Sequence, residues 1–475
     1  MKRVAIINFT GFRGNWGCQA TSFELLKFIA GCFPEGEPLS FDAVPLLPTS
    51  RVDEAYDAEL DRVYDAFTEV AGGGQGTALA YLTKACEARY GFWADIVKRA
   101  DLVVFQAEGS MGLGANFSRG PRLMLLPFVA KHAWGRRVVS LNQSFYSHDP
   151  KIRQNAAEAF SGFDFTAFRE GASVALARQC GVTNAAYVPD VAFLSRPSGG
   201  RDLGGAGYFA VSGSALKDPR RYELILDQTR RIAAATGLKP LIAVSRDLKM
   251  KARVLLGWRP GSYATVPAGA TYTQVTGMLA QCRFLLGGRY HMSIMSAAAG
   301  TPNIILTGNS FKNEGLVSLL AARRPVHDFD ETDAIVGEAQ AVLADEAAER
   351  AALAGQVTLI RKTIRDAQDH IRRLIAGEAP GAFTDDLPVY DLKPEILARY
   401  EAYGQGKGKS GSRALPGARL GRRAAASEFL PPLLEGLAGD EDATLATLRR
   451  MAAGDAALAT RLKAQVARYP ALARL

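Results

Sequence analysis

The stretch FLLGGRYHMSIMSAAAGTPNIIL, residues 284–306, sets two short apolar runs on either side of a small-residue segment. The runs, Arg283–Leu286 and Asn303–Thr307, are apolar through their centres rather than alternating, as strands covered on both faces require. Between them Met292–Ala299 reads as one short helix, stopped by Gly300 and Pro302. Strand, helix, strand is the crossover that joins parallel neighbours. Gly287 and Gly288 let the backbone turn sharply, which brings Arg289 and His291 to the mouth of the helix. Unpaired N–H groups at such a helix start attract phosphate or carboxylate.

The same logic repeats outward in both directions. Val4–Ile7 is an apolar run that leads through the glycine loop GFRGNWG, residues 11–17, into an amphipathic helix with Phe23, Leu25, Leu26 and Ile29 inside. Asp101–Gln106, Arg137–Asn142 and Phe163–Phe168 read as further strands, with a last short one at Tyr187–Asp190. A second series begins near Asp202: strand Tyr208–Ser212, helix Arg221–Thr236, strand Pro240–Ser245 and helix Tyr272–Gln281. The expected fold class is α/β, with parallel sheets covered on both faces. Expected domains are 1–200 and 201–395, the latter carrying the Ala-, Glu- and Arg-rich helical stretch 331–378. A basic linker at 396–427 and a short helical tail at 428–475 follow, the tail capped at Asp442 and Asp455.

Composition narrows the class. A chain of 475 residues is too long for one ordinary core, and 48% hydrophobic with 22% charged residues suits a globular protein. The net charge of +9 is concentrated, because Gly404–Ser427 holds six basic residues and no acid. That segment admits peripheral membrane contact; for the tail, packing or a dimer contact is the favoured reading, with docking to a partner or to an anionic membrane as the alternative. Five dispersed cysteines without a CxxC pair argue for reduced thiols and against a Cys-rich zinc site. Pro260–Cys282 and Tyr290–Phe311 are charge-poor stretches, but Gly and Pro interrupt both as membrane spans. A cytoplasmic protein, with membrane association left open, is expected, and nucleic acid is not an expected partner.

Polar residues in the loops after strands carry any chemistry, because open α/β sheets bind ligands at the carboxyl ends of their strands. Arg289 offers bidentate recognition of an anion and His291 a proton near neutral pH; a surface Arg and a His capping backbone are the plain alternatives. Arg169 ends the strand FDFTAF at a helix lip, with a structural ion pair to Glu170 or Asp190 as its alternative. Arg13 and Asn15 sit in the first glycine loop, which lacks GxGxxG spacing and so argues against a nicotinamide site. Glu108 in FQAEGSMG would serve as general base or hold a sugar hydroxyl, with a structural role as its equal alternative; His148 is a second candidate proton donor, and Lys312 would reach an anion. His132, His327 and His370 read as surface residues. No His/Asp/Glu cluster has metal-ligand spacing, so no metal or other cofactor is expected.

Taken in order, RYHMSIMSAAAGTP, the early GNWGCQA loop, FREGASVALARQCGV, VPDVAF and FKNEGL resemble the polysaccharide pyruvyl transferase family across roughly residues 1 to 325. The resemblance implies two facing Rossmann-like domains of the glycosyltransferase B type. It also implies phosphoenolpyruvate as donor and a glycan or lipid-linked glycan hydroxyl pair as acceptor. On that likeness Arg289 and Arg169 would hold the donor's phosphate and carboxylate, and His291 would act at the reacting carbon. Cys18 stands where the family usually has Asp, and Ala107-Glu108-Gly109-Ser110 where it usually has glycines. A nucleotide-sugar glycosyltransferase on the same architecture and a non-catalytic binding protein are the alternative readings. Homo-oligomerisation stays open.

Overall fold

The strands sort into two wholly parallel sheets in a computed structural model that describes residues 1–400 except 45–61, 64, 68, 71–75, 112–119, 148–149, 206, 216–218, 245–260, 268, 388 and 391. The first sheet holds β1 (Lys2–Ile7), β2 (Leu39–Val44), β3 (Leu102–Phe105), β4 (Arg137–Gln143), β5 (Phe165–Phe168) and β6 (Ala185–Tyr187) in the order β2-β1-β3-β4-β5-β6. The second holds β7 (Tyr208–Val211), β8 (Lys239–Ile242), β9 (Ala264–Thr265), β10 (Leu285–Gly287) and β11 (Asn303–Ile305) in the order β11-β10-β7-β8-β9. Register is parallel throughout, with Ile6 opposite both Ala43 and Val104, and Leu286 opposite both Ile304 and Val211. These central strands are buried on both faces, which is why their sequences are continuously apolar.

Helices cover both sheets. The first lobe carries α1 (Trp16–Ala30), α2 (Thr77–Tyr90), α3 (Phe92–Lys98), α4 (Gly120–His132), α5 (Pro150–Gly162) and α6 (Gly171–Gln179), then a 3-10 turn at Val191–Leu194. After it come α7 (Pro219–Thr236), α8 (Tyr272–Ala280), α9 (Tyr290–Ala298), α10 (Lys312–Leu319), α11 (Thr332–Ala344) and the 30-residue α12 (Glu346–Ile375). Helix α12 begins against the second lobe, where Arg350 donates to the carbonyls of Cys282 and Gly300. It ends against the first, with Gln368 donating to Phe28 O and Arg372 to Gly31 O. Midway, Arg361 donates to Phe193 O and Ala298 O, one from each lobe. The main apolar cluster also runs through the lobe interface, including Trp16, Tyr272, Met278 and Ile294.

In each sheet the strand order reverses once. The chain goes from β1 outward to β2 and then returns to place β3 on the other side of β1; it goes from β7 through β8 and β9 and returns to place β10 beside β7. The loops after β1 and β3, and after β7 and β10, therefore splay apart and leave a crevice at the carboxyl end of each sheet.

Several expectations change in detail. Strand β2 was not anticipated, since LSFDAV is a partly exposed edge strand in which Ser40 and Asp42 dilute the apolar signal. Helix α9 starts at Tyr290 rather than Met292, because Arg289 takes the extended N-cap conformation directly after the glycines. Pairing in the last strand of the first lobe stops at Tyr187, and Asp190 instead caps the 3-10 turn through a bond from Ala192 N. The three histidines expected at the surface are not simple surface residues. His327 is buried between Glu331 and Glu338, His370 is wedged between Phe165 and Phe383, and His132 is half-buried beside Phe128. The basic segment after Gly404 and the tail from Glu428 lie outside the described residues.

Candidate active site

The two crevices meet. Between them lies a cavity of about 270 Å³. Asn8, Arg13, Asn15, Gly17 and Cys18 line it from the β1 loop and the start of α1, and Glu108, Gly109 and Ser110 from the loop after β3. Arg169 reaches it from the end of β5. The second lobe contributes Ala215 after β7, the first turn of α9 with Arg289, Tyr290, His291 and Met292, and Asn309 and Lys312 after β11.

Glycines let the lobes approach closely, Gly315 against Glu170 and Gly17 against His291. A Cβ at Gly17 would lie 2.5 Å from His291 Cβ and 3.0 Å from its Nδ1, well inside the ~3.5–4.0 Å of ordinary carbon contacts. Asn15 N-caps α1 through its side chain, accepting from Gly17 N at 2.9 Å, and so fixes the first turn against α9. Trp16 Nε1 donates to Ala270 O at 2.8 Å, and Tyr272 donates to Glu24 at 2.7 Å, holding the two lobes together beside the cavity.

Arg169 is the electrostatic hub. It is 1% exposed, and its Nη1 donates to Asp190 Oδ2 at 2.9 Å while its Nε donates to Glu170 Oε1 at 3.0 Å and to Ser144. The structural ion pair weighed as its alternative is thus present, to both carboxylates at once. Arg169 still reaches the cavity wall, with Nη2 3.8 Å from where a Cβ on Gly109 would stand. Its guanidinium lies over the Tyr290 ring, 4.7 Å from the centroid, a favourable cation–π distance.

His291 completes the hub from the other lobe. Its Nε2 is 3.2 Å from Asp190 Oδ2 and 3.4 Å from Arg169 Nη1. Asp190 is also held by Thr21 Oγ1 and Ala192 N. Burial opposes its ionisation, yet the hydrogen bond and charge of His291, with Arg169 beside it, hold it well below the usual carboxylate range. A carboxylate only accepts, so Nε2 carries its proton toward Asp190, which leaves Nδ1, beside Gly17, as the ring nitrogen that Asp190 does not engage.

Charge elsewhere in the cavity is positive. Asp190 and Glu170 balance Arg169 locally, while Arg13, Arg289 and Lys312 line the cavity opposite Glu108 alone. Lys312, at the start of α10, is pushed down to about 8 by burial and by the Arg169 charge. The Tyr290 hydroxyl and Asn309 Oδ1, of residues that line this cavity, are buried without a hydrogen-bond partner among the described residues, as groups awaiting a polar ligand would be.

Of the residues singled out in the sequence, Arg289, His291, Glu108, Arg169, Arg13, Asn15 and Lys312 all line this one cavity. His148 lies outside the described residues. Sequence reasoning did not reach Tyr290, Asn309 or Gly17, and took Asp190 only as a partner for Arg169. The signal for Asn309 was its place in GNS directly after β11; that for Gly17 was not visible, since its neighbour is 274 residues away. Among the described residues no group of three or more His, Cys, Asp or Glu side chains could hold a metal ion.

Two Rossmann-like domains facing each other across a cleft place the protein in the glycosyltransferase B fold class. Structures of the same architecture include a putative UDP-N-acetylglucosamine 2-epimerase from Listeria monocytogenes, with a TM-score of 0.52 and 11% identity over 81% of this chain and 100% of that one. The MnaA–UDP co-structure from S. aureus gives 0.51 and 11% over the same shares. At that identity the likeness is one of fold. Residues 15–310 match the polysaccharide pyruvyl transferase family, more than half of the chain, and the protein belongs to that family. No curated protein sequence matches it. Among the described residues no helix is long and apolar enough to cross a membrane.

Proposed function

We propose that this protein transfers the enolpyruvyl unit of phosphoenolpyruvate to two hydroxyls of a polysaccharide or its lipid-linked precursor, leaving a pyruvate ketal. One observation carries this reading: cations from both lobes and an Asp190-held imidazole line a single small cavity. Phosphoenolpyruvate concentrates roughly three negative charges, about two on the phosphate. Arg289, Lys312 and Arg13 are disposed to meet them, and the first turn of α9 adds its N–H groups.

The atoms balance as follows. His291 gives the Nδ1 proton to the methylene carbon, and the central carbon becomes electrophilic. An acceptor hydroxyl adds there and loses its proton. The bond from the central carbon to the phosphate oxygen then breaks, phosphate leaves, and a second hydroxyl closes the ketal as its proton departs with the phosphate. Of the two hydroxyl protons, one is thus accounted for by the new methyl group and one by hydrogen phosphate. A positioned acid contributes ~10²–10⁴-fold to such a step, and fixed positive charge at the departing phosphate contributes on a similar scale.

Ketal formation on the surface polysaccharide of host cells, read by mass spectrometry with and without the gene, tests this. Phosphoenolpyruvate should raise the Tm of the purified full chain, and UDP or GDP should not. Stabilisation by a nucleotide with indifference to phosphoenolpyruvate would overturn the reading in favour of a nucleotide-sugar transferase.

A further inference from the structure

The backbone of Glu108 is in the left-handed region, at φ +50°, where glycine is at ease and glutamate is strained. A chain can take that conformation at no such cost by placing glycine there. Strain of this kind at a cavity wall points to work for the side chain. The surroundings fix the carboxylate in place: Thr10 Oγ1 donates to Oε1, Gln106 Nε2 donates to the same oxygen at 3.2 Å, and Ser144 N donates to the Glu108 carbonyl at 2.8 Å. Thr10 in turn bonds Ser22. Both side-chain bonds fall on Oε1, and Oε2 receives none from the described residues.

Charge decides what this group faces. A carboxylate set among the cations of a trianion site opposes the donor, so it gains nothing on the phosphate side. A neutral hydroxyl is the partner it suits. The loop that holds it also carries Phe12, whose ring is 82% exposed, between Thr10 and the cavity-lining Arg13. Phe12 is propped edge-on by Phe9 at 5.0 Å, and Phe9 by Phe23 at 5.8 Å, so the exposed ring is held rather than loose. A rigid exposed aromatic next in sequence to a cavity-lining residue suits the C–H face of a pyranose ring.

We infer that the β1 loop and Glu108 form the acceptor subsite: Phe12 stacks on a sugar ring, and Glu108 Oε2 takes the proton from the hydroxyl that attacks the central carbon of the donor. The bond formed is sugar oxygen to that carbon. The proton moves to Glu108 and is passed on to solvent after the ketal closes, and His291, which gave its proton to the methylene, takes one back from solvent, so that in the net balance one hydroxyl proton is matched by the new methyl group. This rests on the pyruvyl-transfer reading and assigns its acceptor side to the first lobe.

Two readouts on the full-length chain separate donor from acceptor. The first is the Tm rise of the purified protein on titration with phosphoenolpyruvate. The second is pyruvate ketal content of the polysaccharide of host cells lacking the gene and supplied with each variant. Glu108→Gln and Glu108→Gly should bind phosphoenolpyruvate at least as tightly as the wild type, because a negative charge is gone, while ketal content falls ~10²-fold or more. Glu108→Gly should in addition raise the Tm of the unliganded protein, since the backbone strain is relieved. Phe12→Ala should lower ketal content by roughly tenfold with phosphoenolpyruvate binding unchanged. Wild-type ketal content from Glu108→Gln, or loss of phosphoenolpyruvate binding in either Glu108 variant, overturns the assignment. A wild-type chain that phosphoenolpyruvate fails to stabilise removes the donor reading and this subsite with it.

Discussion

Replacing Gly17 by Ala tests whether the position of the His291 imidazole, the proposed proton donor, depends on how closely α1 and α9 approach. The new methyl would meet His291 Cβ at 2.5 Å, so the helices must separate by about 1 Å to restore an ordinary contact. Two effects on stability oppose each other. Ala in place of Gly in a helix gains up to ~1 kcal/mol, while overpacking a tight contact costs ~1–3 kcal/mol. The net is a loss of about 0–2 kcal/mol, a few degrees in Tm at most for a protein of this size. The effect on chemistry is much larger. His291 Nε2 is 3.2 Å from Asp190 Oδ2, and about 1 Å more takes it outside hydrogen-bonding range. Misplacement on that scale costs roughly 10²-fold in rate. The assay is phosphate released from phosphoenolpyruvate in the presence of acceptor-bearing membrane extract, alongside thermal unfolding. Gly355→Ala is the control, because nothing lies within 4 Å of a Cβ at that exposed position in α12. It should gain the helix term of up to ~1 kcal/mol and keep wild-type activity. Wild-type turnover together with a raised Tm in Gly17→Ala would refute the idea that this contact sets the position of His291.

Other outcomes follow from the same geometry. His291→Ala should abolish ketal formation while phosphoenolpyruvate still stabilises the fold, and Arg289→Ala should weaken that stabilisation; a His291 variant with native turnover would remove the residue from the mechanism. Asp190→Asn should unfold more easily by ~3 kcal/mol, because Arg169 is left buried with one carboxylate fewer, and chemical denaturation measures this directly. Lys312, at about 8, carries its charge below that pH and loses it above. Affinity for phosphoenolpyruvate should therefore fall between pH 8 and 10, by at most about tenfold per pH unit, and Lys312→Arg should flatten the profile. Glu314 is buried and pushed up to about 7 despite its hydrogen bond from Tyr400. Its folded state holds the proton more tightly than the unfolded chain, so its contribution to stability is lost as pH rises from about 4.5 to 7. Glu314→Gln should recover up to roughly 3 kcal/mol at pH 8 and little at pH 4, seen in the pH dependence of Tm.

Much of the architecture was legible because burial on both faces writes itself into consecutive residues. Runs such as VAII, LVVF and NIIL, each ending in glycine or a polar loop, announce parallel strands, and those loops named seven residues that share one cavity. Edge strand β2 escaped for the converse reason: half-exposed, it needs no continuous apolar run. His327 was misjudged because its two glutamate partners come from the next turn and from α11, a pairing that no local pattern displays.

The chain's own order of residues thus determined which side chains stand at the carboxyl ends of strands, since hydrophobic period and glycine placement are local properties. What those side chains do to one another was decided only in three dimensions. That Asp190 lies between Arg169 and His291 and that Gly17 must lack a Cβ depend on two lobes closing on each other, while the strained backbone of Glu108 is held by contacts within the first lobe. Distance and burial set those interactions, and neither is a function of spacing along the chain.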